Sequence, residues 1–265
     1  MTNNFLTPKE ISESMVGGCN KKAGLSMDKM LLLGILAGAY IGLGAYGSTI
    51  VNAGAGSGFE SVIAKLLGAG IFPIGLMLVV FCGAELFTGN CLMTISVFNK
   101  EITVGAMLRN WGIVYFANLI GGVLLAYLLY KSGLYGSEAM TAKAIGIAEA
   151  KVAIPLVPVI IRAIFCNILV VLAVWMATGA KDIISKIFAI WFPVMLFVLA
   201  GFEHSVANMF FLPIGYFLGA DFTISQMVFN NLIPVTIGNI IGGAIVVPGI
   251  YFYTYLKKQP ANEIS

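Results

Sequence analysis

The sequence predicts an all-α membrane fold: six spanning helices arranged as two inverted three-helix repeats, with the second and fifth helices broken. Three observations lead there. Hydrophobic residues fill 59% of the 265 positions and charged residues 10%, well short of the roughly 25% charged content of a soluble domain. Several apolar stretches reach the length of about 20 residues that crosses a bilayer. Two polar motifs interrupt this apolar background. Gly83-Ala84-Glu85-Leu86-Phe87-Thr88-Gly89-Asn90 aligns without a gap on Gly201-Phe202-Glu203-His204-Ser205-Val206-Ala207-Asn208, 118 positions later.

Residues 1–29 are polar and of mixed charge, unlike a cleavable leader, and are read as a cytoplasmic N-terminal segment. Within them Thr7 and Pro8 suit the N-cap and first position of a helix. Such a helix would lie beneath the spans, where it would control access to them, or anchor the chain at the membrane surface. The spans are expected at 30–51, 61–81, 104–129, 153–177, 184–202 and 227–255. They form a six-span membrane domain, 30–255, with one repeat over 30–129 and a second over 153–255. Residues 256–265 form a cytoplasmic tail. Apolar pieces at 91–98 and 209–218 follow the two motifs and are too short to span alone. Spans two and five are therefore expected to be helices split at the motifs. Residues 131–151 are the longest link.

Lysine and arginine set the orientation. Lys9, Lys21, Lys22 and Lys29 precede span one; Lys100, Arg109, Lys181 and Lys186 flank the second and fourth links; Lys257 and Lys258 follow span six. The opposite side carries Lys65, Lys131, Lys143 and Lys151, and Arg162 falls inside an apolar segment. Both termini are thus expected to be cytoplasmic. The net charge of +3 forms no basic stripe with interleaved aromatics, so nucleic acid is not an expected partner. Cys19, Cys82, Cys91 and Cys166 form no CxxC pair and read as packing residues rather than a metal or disulfide framework.

A second match supports the repeat: Asn118-Leu119-Ile120-Gly121-Gly122 mirrors Asn239-Ile240-Ile241-Gly242-Gly243, 121 positions later. Three spans per repeat force the halves into opposite orientations. Inverted repeats with interrupted helices place a binding region at the breaks, near the midplane. A break at that depth must have its freed backbone groups satisfied. Glu85 and Glu203, with Asn90 and Asn208, are expected to hold the two breaks, the carboxylates accepting from the freed amides. The half-helix N-termini favour an anion there. His204, the sole histidine, sits beside Glu203 in the second break, and an ionisable side chain at that depth points to a substrate or proton path.

These residues resemble the signatures of the formate/nitrite transporter family. The first reads here as Val80-Phe81-Cys82-Gly83-Ala84-Glu85-Leu86-Phe87-Thr88-Gly89 and the second as Ala163-Ile164-Phe165-Cys166-Asn167-Ile168-Leu169-Val170-Val171-Leu172-Ala173-Val174-Trp175. The histidine-bearing break reads Gly201 through Met209, and the likeness runs over about 25–255. The resemblance implies an aquaporin-like fold and a homopentamer with one pore per subunit, in a prokaryotic plasma membrane. It implies a small monovalent anion as cargo: formate, nitrite or hydrosulfide, with formate favoured here. It maps a central histidine onto His204, the threonine of the first break onto Thr88 and the basic residue of the outer vestibule onto Lys151. It sets Asn167 and Asn239 near the central site, and apolar narrowings at Leu76, Leu86, Phe197 and Phe72. It calls for no cofactor and no metal.

Physically, an anion needs attraction to the mouth and help through the dry middle. Lys151 supplies the first. His204 suggests the second: a proton passed to the anion, with Thr88 as hydrogen-bond partner, or attraction alone. Neither HExxH nor GxSxG is present, which argues against an intramembrane enzyme. An aquaporin's Asn-Pro-Ala pair is absent, and one histidine does not make the two-histidine pore of an ammonium channel.

Overall fold

The computed structural model describes residues 5–257. Residues 258–265, which include Lys258 and most of the expected cytoplasmic tail, lie outside the described residues, as do 1–4. The described chain is helical apart from one isolated bridge between Phe5 and Ala180.

Ten helical segments follow one another. α1 is Pro8–Ala23, α2 Met27–Ala53, α3 Phe59–Cys82 and α4 Phe87–Phe98, and α5 Val104–Lys131. The second series is α6 Glu138–Val152, α7 Leu156–Gly179, α8 Ile183–Leu199, α9 Ser205–Phe217 and α10 Ile224–Leu256. The halves thus contain the same five elements in the same order. α2, α3, α5, α7 and α10 are long and apolar enough to cross a membrane. α8 has 17 residues, about 26 Å at 1.5 Å per residue, slightly less than the roughly 30 Å hydrocarbon core. It continues across the break into α9 as a two-piece span, as α3 continues into α4.

Local chemistry sets the ends. Thr7 and Glu10 form a reciprocal capping box at α1, with Pro8 in the first turn. The Thr7 bonds, backbone first, hold the Glu10 carboxyl below its ordinary range. Ser137 caps α6 by accepting from the Met140 amide. The 131–151 link is therefore mostly helix, because Ala144, Ala148 and Val152 recur every four residues and bury one face. Pro73 marks a kink inside α3. α10 contains three π-helical stretches. Cys19, Cys91 and Cys166 are buried, Cys82 is exposed, and all four are free.

The two Gly-Gly pairs let helices meet backbone to backbone. A Cβ at Gly121 would strike the Ile35 carbonyl, and one at Gly242 the Ile164 carbonyl. α5 thereby closes on α2 as α10 closes on α7, the small-residue contact expected of membrane helices. The breaks use glycine differently. Gly83 has φ of 76° and Gly201 of 73°, a left-handed turn that costs any other L-residue energy. The amides that follow turn back alike, Ala84 N–H to the Val79 carbonyl at 2.9 Å and Phe202 N–H to the Phe197 carbonyl at 3.0 Å.

Candidate functional site

Each break frees backbone groups, and an asparagine from the last helix of its repeat collects them. Asn118 of α5 accepts from the Phe87 amide at 2.9 Å and donates to the Gly34 and Glu85 carbonyls at 2.8 and 2.9 Å. Asn239 of α10 does the same for the other half: it accepts from the Ser205 amide at 2.9 Å and donates to the Ala163 and Glu203 carbonyls at 2.8 and 2.9 Å. One freed amide in each break therefore goes to an asparagine, and the Glu85 and Glu203 amides go to the Leu33 and Arg162 carbonyls, rather than to the carboxylates that sequence reasoning assigned them. An amide side chain suits the task because it accepts and donates at once.

The carboxylates bind side-chain N–H groups instead. Glu85 accepts from Lys22 Nζ at 2.6 Å and from Asn90 Nδ2 at 2.7 Å. Asn90 also donates to Asn110, which donates to the Lys22 carbonyl. The second half builds the same ring: Glu203 accepts from Lys151 Nζ at 2.9 and 3.0 Å and from Asn208 at 2.7 Å; Asn208 donates to Asn231, and Asn231 to the Lys151 carbonyl. Both carboxylates are buried, and a buried charge persists only when paired and hydrogen-bonded. The 129-residue shift that carries Lys22 onto Lys151 also carries Leu33 and Gly34 onto Arg162 and Ala163. α1 therefore stands in the first half where α6 stands in the second.

Two cavities flank the breaks. One, of about 550 Å³, reaches Lys21, Lys22, Glu85, Leu76 and Leu86. The other, of about 470 Å³, reaches Lys151, Glu203, Phe72, Phe197 and His204. Between them lies a void of about 10 Å³ walled by Phe72, Leu76, Leu86, Phe197 and His204, with Ile41, Val170 and Val194. That holds one water at most, and the wall is apolar apart from His204. All four residues expected at narrowings stand on this wall.

His204 is the one polar side chain on it. Its Nδ1 accepts from the Ala207 amide at 3.0 Å, making the ring the N-cap of α9. A nitrogen that accepts carries no proton, so the neutral ring has its proton on Nε2. Nε2–H then donates to Thr88 Oγ1 at 2.9 Å. The Phe197 ring stacks on the imidazole, centroids 5.8 Å apart, and Phe72 meets Phe197 edge-on at 5.5 Å. Thr88 is fully buried and lines none of these cavities; it is tied to the wall of the void by its bond to His204. Asn167 donates to the Asn239 carbonyl at 2.7 Å and the Thr88 carbonyl at 3.3 Å. Asn167 and Asn239 both sit behind the wall, bonded to backbone. Lys151 Nζ lies 5.4 Å from the Phe211 ring centroid, a cation–π distance.

Sequence reasoning missed Lys22, Asn110 and Asn231 as parts of the site. It used Asn118 only as a mark of the repeat. The 129-residue shift was the available signal for Lys22, but α1 and α6 share too little sequence to display it.

Comparison with known proteins places this geometry. The family model described as formate/nitrite transporter matches residues 9–253. A probable formate transporter of Methanothermobacter thermautotrophicus is 41% identical, over 97% of this chain and 100% of its own. The formate channel FocA of Escherichia coli (strain K12) is 36% identical, over 87% and 88%. Among solved structures, an FNT family ion channel superposes with a TM-score of 0.83 at 28% identity, covering 92% of this chain and 98% of its own. A pentameric formate channel with formate bound superposes with a TM-score of 0.77 at 34% identity, covering 87% and 98%.

Proposed function

The chain belongs to the formate/nitrite transporter family, which moves small anions rather than catalysing reactions on them, and we propose that its own cargo is formate, conducted with a proton through His204. Named formate channels among its relatives, at 36–38% identity, support the choice of anion. The structurally similar pentameric channel supports a homopentamer with one pore per subunit. Bacterial and archaeal relatives support a prokaryotic plasma-membrane protein, and the lysine distribution supports both termini cytoplasmic, Lys22 facing inward and Lys151 outward.

One observation carries the mechanism: the only polar side chain on the wall of the void is a histidine whose Nε2 is bonded to Thr88. Lys21 with Lys22 on one side, and Lys151 with Lys65, Lys143 and Arg162 on the other, outnumber the glutamates of the two cavities and draw formate in. A bare anion in the void would lose its water and gain no compensating charge. At the centre, formate displaces the Thr88–His204 bond and accepts from Nε2–H and the threonine hydroxyl. The neutral ring has no spare proton: giving up Nε2–H would leave an imidazolate. The transferred proton therefore enters from the aqueous side onto Nδ1, releasing the Ala207 amide. Formate then takes the Nε2 proton, leaving a neutral ring protonated on Nδ1. Formic acid crosses the void uncharged and returns its proton to water beyond. Loss of the Nδ1 proton and reprotonation of Nε2 restore the cap.

The test is flux of labelled formate into proteoliposomes with His204→Asn. Asparagine is a good N-cap, so α9 keeps its start while the proton carrier is lost. Flux should fall by on the order of 100-fold, the usual contribution of a positioned acid–base group, and its pH dependence should flatten. A variant matching wild type in both rate and pH profile would sink the relay.

A further inference from the structure

The two cavities are built alike but charged differently. Lys21 and Lys22 line the first against the Glu85 carboxylate. Lys65, Lys143, Lys151 and Arg162 line the second against the Glu203 carboxylate. Lys151 is committed to Glu203. Among the described residues no carboxylate pairs with Lys65, Lys143 or Arg162.

Arg162 is the telling position. Its carbonyl accepts the Glu203 amide at 3.4 Å, as the Leu33 carbonyl accepts the Glu85 amide at 3.2 Å. Leu33 lines its own cavity just as Arg162 lines the other. The backbone task is the same, so the break does not explain the guanidinium. Its planar fork matches a carboxylate in two parallel bonds, and two more unpaired ammonium groups share its cavity. Arg162 and Lys65 are exposed and Lys143 is half-buried, so all three are open to an entering anion of more than one charge.

We propose that the Lys151 cavity holds a binding site for a small dicarboxylate dianion, with one carboxylate on the Arg162 fork and the second charge met by Lys143 and Lys65. The bound dianion obstructs formate from that side only. Protonated once at His204 it would still carry a charge into the 10 Å³ void, so it occupies the mouth without crossing. The binding site rests on the cavity and its cations; the obstruction rests also on the proposed formate conduction.

Two measurements separate these. Calorimetry on the purified protein uses oxalate against acetate at equal ionic strength. Oxalate should bind at least tenfold more tightly than acetate, and Arg162→Gln should weaken oxalate by about tenfold, the loss of one charge-assisted bidentate pair. Equal binding of the two anions, or no change in R162Q, overturns the site. Uptake of labelled formate into proteoliposomes of uniform orientation is then measured with oxalate outside or trapped inside, each variant scaled to its own uninhibited uptake. Block should need several-fold less oxalate on the Lys151 face, and R162Q should remove that difference. Equal block from both faces overturns the obstruction. Absence of formate uptake in an oxalate-binding protein would instead count against the conduction reading.

Discussion

Lys22 Nζ lies 2.6 Å from the Glu85 carboxylate, so the helix ahead of the first span supplies the counter-charge of the first break. The Lys22 side chain is 33% exposed, against 16% for Lys151 in the matching pair. Solvent screens the first pair more. Lys22→Met should cost about 1–2 kcal/mol and Lys151→Met about 2–4 kcal/mol, each leaving a buried carboxylate without its cation. Thermal unfolding in detergent measures the order. Adding Glu85→Gln to Lys22→Met should recover part of the loss, because neutral Gln needs no counter-ion.

Asn118→Leu and Asn239→Leu should each destabilise by several kcal/mol, since each strands one amide and two carbonyls in the membrane interior at about 1–3 kcal/mol per group. The two values should agree within about 1 kcal/mol, because the bond lengths match to 0.1 Å. A large difference, read by the same unfolding assay, would mean that the two breaks are not held alike.

Gly83→Ala and Gly201→Ala test the backbone alone. Neither position has an atom within 4 Å of the added methyl group, so the expected cost, about 1–2 kcal/mol apiece, comes from the left-handed φ. A loss much above that would point to a steric clash.

Phe197→Ala should widen the passage. It removes the ring stacked on His204 and opens the wall of the void. Lactate and acetate entry, followed by liposome swelling, should rise relative to formate. Stability should fall by about 3–5 kcal/mol if the cavity stays open, as for a buried Phe→Ala change. Unchanged selectivity would place the size filter elsewhere.

Much of this design was legible before any coordinates. The breaks announced themselves because Gly83, Glu85 and Asn90 recur in register at Gly201, Glu203 and Asn208, polar residues standing out against an apolar background. His204 was legible for the same reason. The kinship of Lys22 and Lys151 was not, because one falls in a polar leading segment and the other in a link between spans. Only their shared bonds to a glutamate reveal it. Asn110 and Asn231 carry no local pattern, since a polar residue in a long helix declares its partner only through the fold. The π-helical stretches of α10 likewise leave no periodicity that distinguishes them from an ordinary apolar helix.

One ring nitrogen of His204 closes the first turn of α9 while the other is bonded to Thr88. If the proposed relay holds, durability and activity pull apart at this position. Asn, Asp, Ser and Thr all cap a helix well, so selecting variants for heat resistance would enrich them at 204 and discard the titratable ring unnoticed. Any effort to toughen this protein has to screen for flux at that residue, because a melting curve rewards its loss.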